Sequence, residues 1–254
     1  MNLAAQPSGG APDEVTAGLL VIGDEILSGR TKDVNIGFIA DHCTAHGIRL
    51  KEVRVVADAE AAIIGAVNEL RAAYTYVFTT GGIGPTHDDI TADSIAKAFG
   101  VSIDVDPRAR DLLLQRFAET DLTPARLRMA RIPLGAELVE NEVSKAPGFM
   151  MGNVIVMAGV PAIMQSMLRA VTPRLRKGQK LISESIRVNA PEGRVAAPLG
   201  DCQRAFPDVP MGSYPFFEDG HYGTNLVLRS TDENRLRAAK ADLIERLGPD
   251  ISIS

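Results

Sequence analysis

The segment Thr79-Thr80-Gly81-Gly82-Ile83-Gly84-Pro85-Thr86-His87-Asp88-Asp89-Ile90-Thr91 concentrates residues that can do chemistry. An apolar run ends, glycines follow at 81, 82 and 84, and a helical pattern opens at 91. Glycine lets backbone N–H groups approach a ligand closely, and such a loop ahead of a helix suits a phosphate or a carboxylate. The spacing equally describes a tight strand-to-helix turn, with Asp88 and Asp89 complementing the helix dipole. Thr91 reads as the N-cap of that helix.

Four other segments carry polar groups at the ends of apolar runs. Gly23-Asp24-Glu25-Ile26-Leu27-Ser28-Gly29 follows one run and Asp58 follows the next. In a parallel sheet, the carboxyl ends of strands line the ligand crevice. Carboxylates of Asp24, Glu25, Asp58, Asp88 and Asp89 would then approach one place. Oxygen-rich clusters facing phosphates hold Mg²⁺-type ions, which polarise a phosphoryl oxygen or activate water. Capping and turn formation account equally for Asp24 and Asp58. In Asn141-Glu142-Val143-Ser144-Lys145-Ala146-Pro147-Gly148-Phe149, Ser144 and Lys145 could contact phosphate, or Lys145 could be a solvated loop charge. Ala158-Gly159-Val160-Pro161 ends a strand, and Pro161 suits the first turn of a helix.

The elements that must position these groups alternate. Val15 to Gly23 is a near-continuous apolar run, the pattern of a strand buried on both faces. A helix is predicted over 33–46, with Gly47 as its C-terminal cap. Ile48 to Ala57 alternates like a strand, 59–73 is helical, Tyr76 to Thr80 is a strand and 91–99 a helix. This β-α-β-α-β-α order implies a parallel sheet with right-handed crossovers. Residues 107–131 read as helical with a break at Thr123-Pro124. Strands are predicted at Leu138–Asn141 and Asn153–Met157, and an amphipathic helix at 161–175. Arg176-Lys177-Gly178-Gln179-Lys180 reads as a linker. Beyond it come a strand (Leu181–Val188), a helix near 193–206, strands at Met211–Tyr214 and Thr224–Ser230, a turn at Gly220–Gly223 and a helix over 232–247. The expectation is a tail over 1–14, an α/β domain over 15–176 and a small α+β lobe over 181–254.

Composition removes several function classes. The chain has 254 residues, 45% apolar, with net charge -5 and 5% aromatic residues. No apolar run approaches the roughly 18 residues of a membrane span, and an acidic chain poor in aromatics is a weak candidate for nucleic acid. Six arginines between 108 and 131 (Arg108, Arg110, Arg116, Arg126, Arg128, Arg131) are interleaved with Asp111, Glu119 and Asp121 and read as a solvated helical face. Cys43 and Cys202 cannot form a disulfide framework or a zinc knuckle, and Cys43 falls on a core-facing stripe. The start of the chain lacks a signal peptide's basic and apolar regions, so a cytoplasmic protein is expected.

Together, the five segments resemble the molybdopterin-binding (MoaB/Mog) domain, closely its CinA-type branch. The matching residues are Gly23 to Gly29, Asn35, Asp58, Thr80 to Thr86 with Asp88 to Thr91, Asn141, Ala146-Pro147-Gly148-Phe149 and Gly159-Val160-Pro161, in the family's order across residues 16–175. Ala158 stands where the family usually has proline, and Ser144 where it has glycine. The trailing lobe, with Gly212-Ser213-Tyr214-Pro215, is similar to the small domain that follows in CinA-type proteins and in the FAD-hydrolase half of eukaryotic FAD synthases. Ending at Ser254, the chain is expected to lack the amidase and FAD-synthase catalytic domains.

The resemblance implies a three-layer, mostly parallel α/β fold with a small α+β lobe. It also implies a pyrophosphatase that cleaves ADP-containing dinucleotides such as ADP-ribose or FAD, with a divalent ion (Mg²⁺, Mn²⁺ or Co²⁺). Asp89, Asp58 and Lys145 would be catalytic, and Asp58, Asp88 and Asp89 would meet the metal. Thr80, Gly81, Gly82, Gly84, Pro85, Thr86, Asp24, Glu25, Ser28, Asn35, Asn141, Ser144, Gly148, Gly159 and Pro161 would bind the nucleotide and its phosphates. The family's other branch implies adenylyl transfer to molybdopterin, and a non-catalytic pterin or nucleotide module is the third reading. A homo-oligomer, dimer or trimer, is expected, without nucleic-acid or membrane partners.

Overall fold

The computed structural model describes residues 14–218 and 220–253, and the tail expected over 1–14 lies outside them except for Glu14. Glu14 belongs to the fold, not to a tail: its carboxylate pairs with Arg49 at 3.1 Å and Lys51 at 2.9 Å. The chain divides into two compact units, the first ending at Gly178 and the second starting at Gln179, within the expected linker.

The first unit opens with β1 (Val15–Ile22), a short α1 (Asp24–Leu27), α2 (Asn35–Ala45), β2 (Ile48–Val56), α3 (Glu60–Ala73), β3 (Tyr76–Thr80) and α4 (Thr91–Phe99). It continues through β4 (Ile103–Val105), α5 (Pro107–Leu114), α6 (Pro124–Arg128), β5 (Arg131–Pro133), β6 (Glu137–Val139), β7 (Gly148–Met151), β8 (Val154–Met157) and α7 (Pro161–Val171). Six strands form one sheet in the order β2-β1-β3-β8-β7-β6. The first four are parallel, and β7 and β6 complete it antiparallel.

β1 reads as a continuous apolar run because both its faces are buried. Ala17, Leu19 and Val21 join α2 and α7 through Ile39, Cys43, Met164 and Leu168. Leu20 and Ile22 face the opposite core, with Ile63 and Leu70 of α3, Ile95 of α4 and Leu113 of α5. These two cores make the three layers. Buried on its stripe, the Cys43 thiol is pushed up to about 12, which removes it from thiolate chemistry. The chain winds from β1 to β2 on one side and returns to β3 on the other. The crevice between the ends of β1 and β3 is therefore the switch point where open α/β sheets take ligands.

Several boundaries differ from the sequence reading. Residues 107–131 are not one interrupted helix: α5 and α6 are short, a single 3₁₀ turn lies at Glu119–Asp121, and Arg131 opens β5. Proline begins both helices, and each is capped by the residue before it, Asp106 or Thr123, whose side chain accepts a backbone N–H. Strand β7, the β4–β5 pair and α1 carried too few residues to show a period.

The second unit comprises β9 (Ile182–Val188), α8 (Glu192–Ala205), β10 (Met211–Glu218), β11 (His221–Ser230) and α9 (Glu233–Leu247). Its antiparallel sheet runs β10-β11-β9. Ile186, Val188, Leu226 and Leu228 pack with Val195 and Cys202 of α8 and Leu236 and Leu243 of α9. Gly223 is not in the hairpin turn: it pairs with Phe216 within the ladder, and the strands run on to Glu218 and His221. Among the described residues, no helix is long and apolar enough to cross a membrane.

Candidate active site at the switch point

The glycine loop leaves β3 under constraints that exclude larger residues. Gly81 (φ 104°) and Gly82 (φ 66°) occupy backbone conformations that L side chains rarely adopt. A Cβ on Gly81 would sit 2.1 Å from the Ile22 carbonyl, and one on Gly82 2.1 Å from Thr91 Oγ1. The loop is thus pressed against the end of β1 and the start of α4. Thr91 clamps it: its hydroxyl donates to the Gly81 carbonyl at 3.0 Å and its N–H to the Gly82 carbonyl at 3.0 Å. Thr91 is therefore the first residue of α4, preceded by Ile90, rather than the N-cap. Its hydroxyl is spent on the loop instead of on the helix.

The β8–α7 loop lies alongside. The Gly81 N–H donates to the Met157 carbonyl at 3.1 Å, and Gly159 faces the Gly81 backbone. Buried Asn35, at the start of α2, donates Nδ2 to the Gly159 carbonyl at 2.8 Å. Pro161 occupies the first position of α7. Gly81, Asn35 and Gly159 are thereby brought together, with Thr80 and Pro161 next to them in the chain.

The acidic residues form two groups. Asp24 opens α1, and its N–H donates to Asp58 Oδ2 at 2.9 Å. Burial first, then the charges of Asp24, Glu25 and Asp88, pushes the Asp58 carboxyl above the usual aspartate range, against that hydrogen bond. Ser28 turns back to the Glu25 carbonyl at 3.3 Å. In the second group the Thr86 hydroxyl lies 2.5 Å from an oxygen of both Asp88 and Asp89, and its N–H donates to Asp89 at 2.8 Å. This hydrogen bonding holds Asp88 below the usual range. The Asp89 carboxylate lies over Gly84, where a Cβ would stand 2.6 Å from Oδ2. Pro85 lies between these contacts, and His87 is fully exposed beside Asp88.

Among the described residues, no three His, Cys, Asp or Glu side chains gather as a ligand set for a metal ion. Asp58, Asp88 and Asp89 therefore do not stand as a preformed three-carboxylate set. Asp89 is turned into its own loop and Asp58 toward the start of α1, so the residues do not fit a resident metal cage.

The segment after β6 is built around Asn141 and tied to its neighbours by Arg116, which donates to the Val143 carbonyl, and by Ser166, whose Oγ accepts the Glu142 N–H at 3.2 Å. Asn141 Oδ1 accepts the N–H of Val143 at 3.0 Å and of Ser144 at 2.7 Å, and Nδ2 donates to the Ala146 carbonyl at 2.5 Å. These bonds hold Lys145 at φ 62°, a rare region for a residue other than glycine. The Lys145 ammonium pairs with Glu142. Asn141 and Ser144 thus build the loop, and Gly148 begins β7 against the Val156 carbonyl. None of Asn141, Ser144 or Lys145 lines the pocket beside the glycine loop.

That pocket brings in residues the sequence reading set aside. It is lined by Gly82, Ile83, Gly84 and Asp89 together with Asp93, Arg128, Arg131, Pro147 and Phe149. Arg128 donates Nη2 to the Asp89 carbonyl at 3.1 Å, and Arg131 pairs with Asp93. Arg128 and Arg131 are therefore not part of a solvated helical face. Only their spacing across Met129-Ala130, at the end of a segment capped by Thr123, distinguished them in the sequence.

Residues 18–177 match the family described as "Probable molybdopterin binding domain", and residues 180–254 match "FAD synthase, middle domain". A "CinA-like protein" of Citrifermentans bemidjiense is 39% identical over 62% of this chain and 40% of its own length. A "Probable FAD synthase" of Caenorhabditis elegans is 27% identical over 94% of this chain and 51% of its own. The chain thus spans about half of the second relative's length and two fifths of the first's. A solved structure of the protein CinA from Thermoplasma acidophilum superimposes with a TM-score of 0.60 at 35% identity, over 64% of this chain and 98% of that one.

Proposed function

The chain belongs to the molybdopterin-binding domain family, as a CinA-like member followed by an FAD synthase middle domain, and on that premise we propose that it is a pyrophosphatase of ADP-containing dinucleotides. The observation that carries this reading is the clamped glycine loop at the switch point, flanked by Asp58 and Asp89. Backbone N–H groups there suit a diphosphate. The carboxylates would orient the attacking water and exclude a substrate that arrives without a counter-charge.

The substrate is a dinucleotide such as ADP-ribose or FAD, taken as its complex with a divalent cation. Mg²⁺ ordinarily binds through one or two carboxylates plus substrate phosphates, without a protein cage. Asp58, Asp88 and Asp89 are the carboxylates proposed to meet the cation that the substrate brings. Water attacks one phosphorus in line and the anhydride P–O bond breaks. ADP-ribose gives AMP and ribose 5-phosphate, while FAD gives AMP and FMN. Lys145, two residues before Pro147 of the pocket, is the proposed mobile cation that leaves Glu142 to offset developing charge. Asp89→Asn preserves the shape of the loop and removes the charge. It is expected to abolish turnover with melting unchanged, and retained activity would overturn the role.

The match of residues 18–177 to a molybdopterin-binding family favours a second reading, adenylyl transfer to molybdopterin or pterin binding without turnover. ATP with molybdopterin separates the two, since the transferase alone yields an adenylylated pterin. We further propose a homo-oligomeric, cytoplasmic protein. Size-exclusion chromatography with light scattering tests the first point.

A further inference from the structure

We infer that Arg128 is the fixed cation of this site and binds a phosphoryl oxygen of the diphosphate at the mouth of the glycine loop. The inference rests on the diphosphate reading above and names the group that makes it electrostatically workable. Asp58 already faces Asp24, Glu25 and Asp88, so an incoming polyanion meets negative charge on that side. The pocket beside the loop holds Arg128 and Arg131.

Three arginines of the segment from 108 to 131 have their charge spent: Arg108 pairs with Asp106, Arg110 with Glu119 and Arg131 with Asp93. Arg116 and Arg126 bond the carbonyls of Val143 and Asp121 and lie outside the pocket. Arg128 differs from all of them. It lines the pocket with Gly82, Gly84 and Asp89, and its hydrogen bond goes to a neutral acceptor, the Asp89 carbonyl. Its buried Nε has no partner among the described residues, as is also true of Arg131, whose charge is paired with Asp93.

A guanidinium has five donors in a planar fork and keeps its charge at every working pH. Such a group binds phosphate oxygens with charge-assisted hydrogen bonds. The carbonyl bond fixes the fork on the residue that carries the Asp89 carboxylate, so cation and carboxylate are positioned together. The pocket narrows to about 10 Å³, room for about one water. A phosphoryl group is larger than that space, so on this inference it would bind at the mouth and not enter behind the guanidinium. Arg128 is preorganised, whereas Lys145 must first leave Glu142.

The test is calorimetric titration of the full chain with ADP plus Mg²⁺, and with adenosine as a probe without phosphate. Wild type is expected to prefer ADP. Arg128→Gln should weaken ADP by about 10- to 100-fold, the worth of a charge-assisted hydrogen bond, and leave adenosine unchanged. Arg128→Lys should recover part of the loss, and Arg110→Gln should bind like wild type. If Arg128→Gln binds ADP as wild type does, the inference is overturned and the diphosphate reading stands. If wild type itself does not distinguish ADP from adenosine, the reading falls and the inference with it. Equal weakening of both probes would mark a merely structural role and overturn it too. Should the Gln variant not fold, Arg128→Lys decides: wild-type affinity for ADP refutes the inference, and a selective loss of ADP upholds it.

Discussion

At Gly81 a single added methyl would meet the Ile22 carbonyl, in a backbone conformation with φ 104°. Gly81→Ala is therefore expected to destabilise the first unit by about 2 kcal/mol or more, read as a lower midpoint in chemical denaturation. An unchanged midpoint would mean that the loop can leave β1 at little cost. Asp89→Asn probes the opposite property. Its carboxylate is held by the N–H of Thr86, which an amide oxygen can also accept. Stability should stay within about 0.5 kcal/mol while turnover falls by about 100-fold or more. The glycine turn was legible in the sequence because Gly81 and Gly82 take positive φ values that L side chains rarely adopt, while the same spacing left Asp89 open between a site carboxylate and a helix-start charge. The clamp by Thr91 was read as a cap, since its partner, Gly81, is a tertiary neighbour. Arg128 was masked because one arginine among six, interleaved with Asp111, Glu119 and Asp121, resembles ordinary surface.

Among the elements, α5 offers a test that combines capping with titration. Asp106 accepts the Arg108 N–H at 2.8 Å and its guanidinium at 2.7 Å, and this pairing holds its carboxyl below the usual aspartate range. Its folded-state value is depressed, so its stabilisation is complete above the ordinary carboxylate range and is lost as pH falls through the lowered value. Asp106→Ala should cost about 1 kcal/mol at neutral pH, and the difference from wild type should shrink in acid. Denaturation midpoints of both proteins across pH 2 to 7 check this, and a difference independent of pH would contradict it. Strands β1, β3 and β8 were legible because burial on both faces makes them continuous apolar runs. Strands β4, β5 and β7 have three or four residues each, too few for a period, while β6 (Glu137–Val139) overlaps the strand predicted at Leu138–Asn141. β4 and β5 pair across about thirty residues of chain, whereas β7 is held between its sequence neighbours β6 and β8.

At the scale of the whole molecule, each unit has its own core, on both faces of the six-stranded sheet in the first and between sheet and helices in the second. Residues 14–178 produced alone should therefore melt cooperatively, and calorimetry that finds no cooperative transition would contradict the division. The linker and the two-unit plan were visible as a change of pattern near residue 176. What the sequence left open was how the acidic residues divide between two loops. Their separation depends on side-chain turns, Asp58 toward Asp24 and Asp89 toward Thr86, that spacing does not encode. The measurement that bears most directly on the account is product analysis after incubation with ADP-ribose or FAD, with and without Mg²⁺, Mn²⁺ or Co²⁺. The account predicts AMP, formed with a divalent ion present and lost in Asp89→Asn. No AMP from either substrate under any of these ions would contradict it.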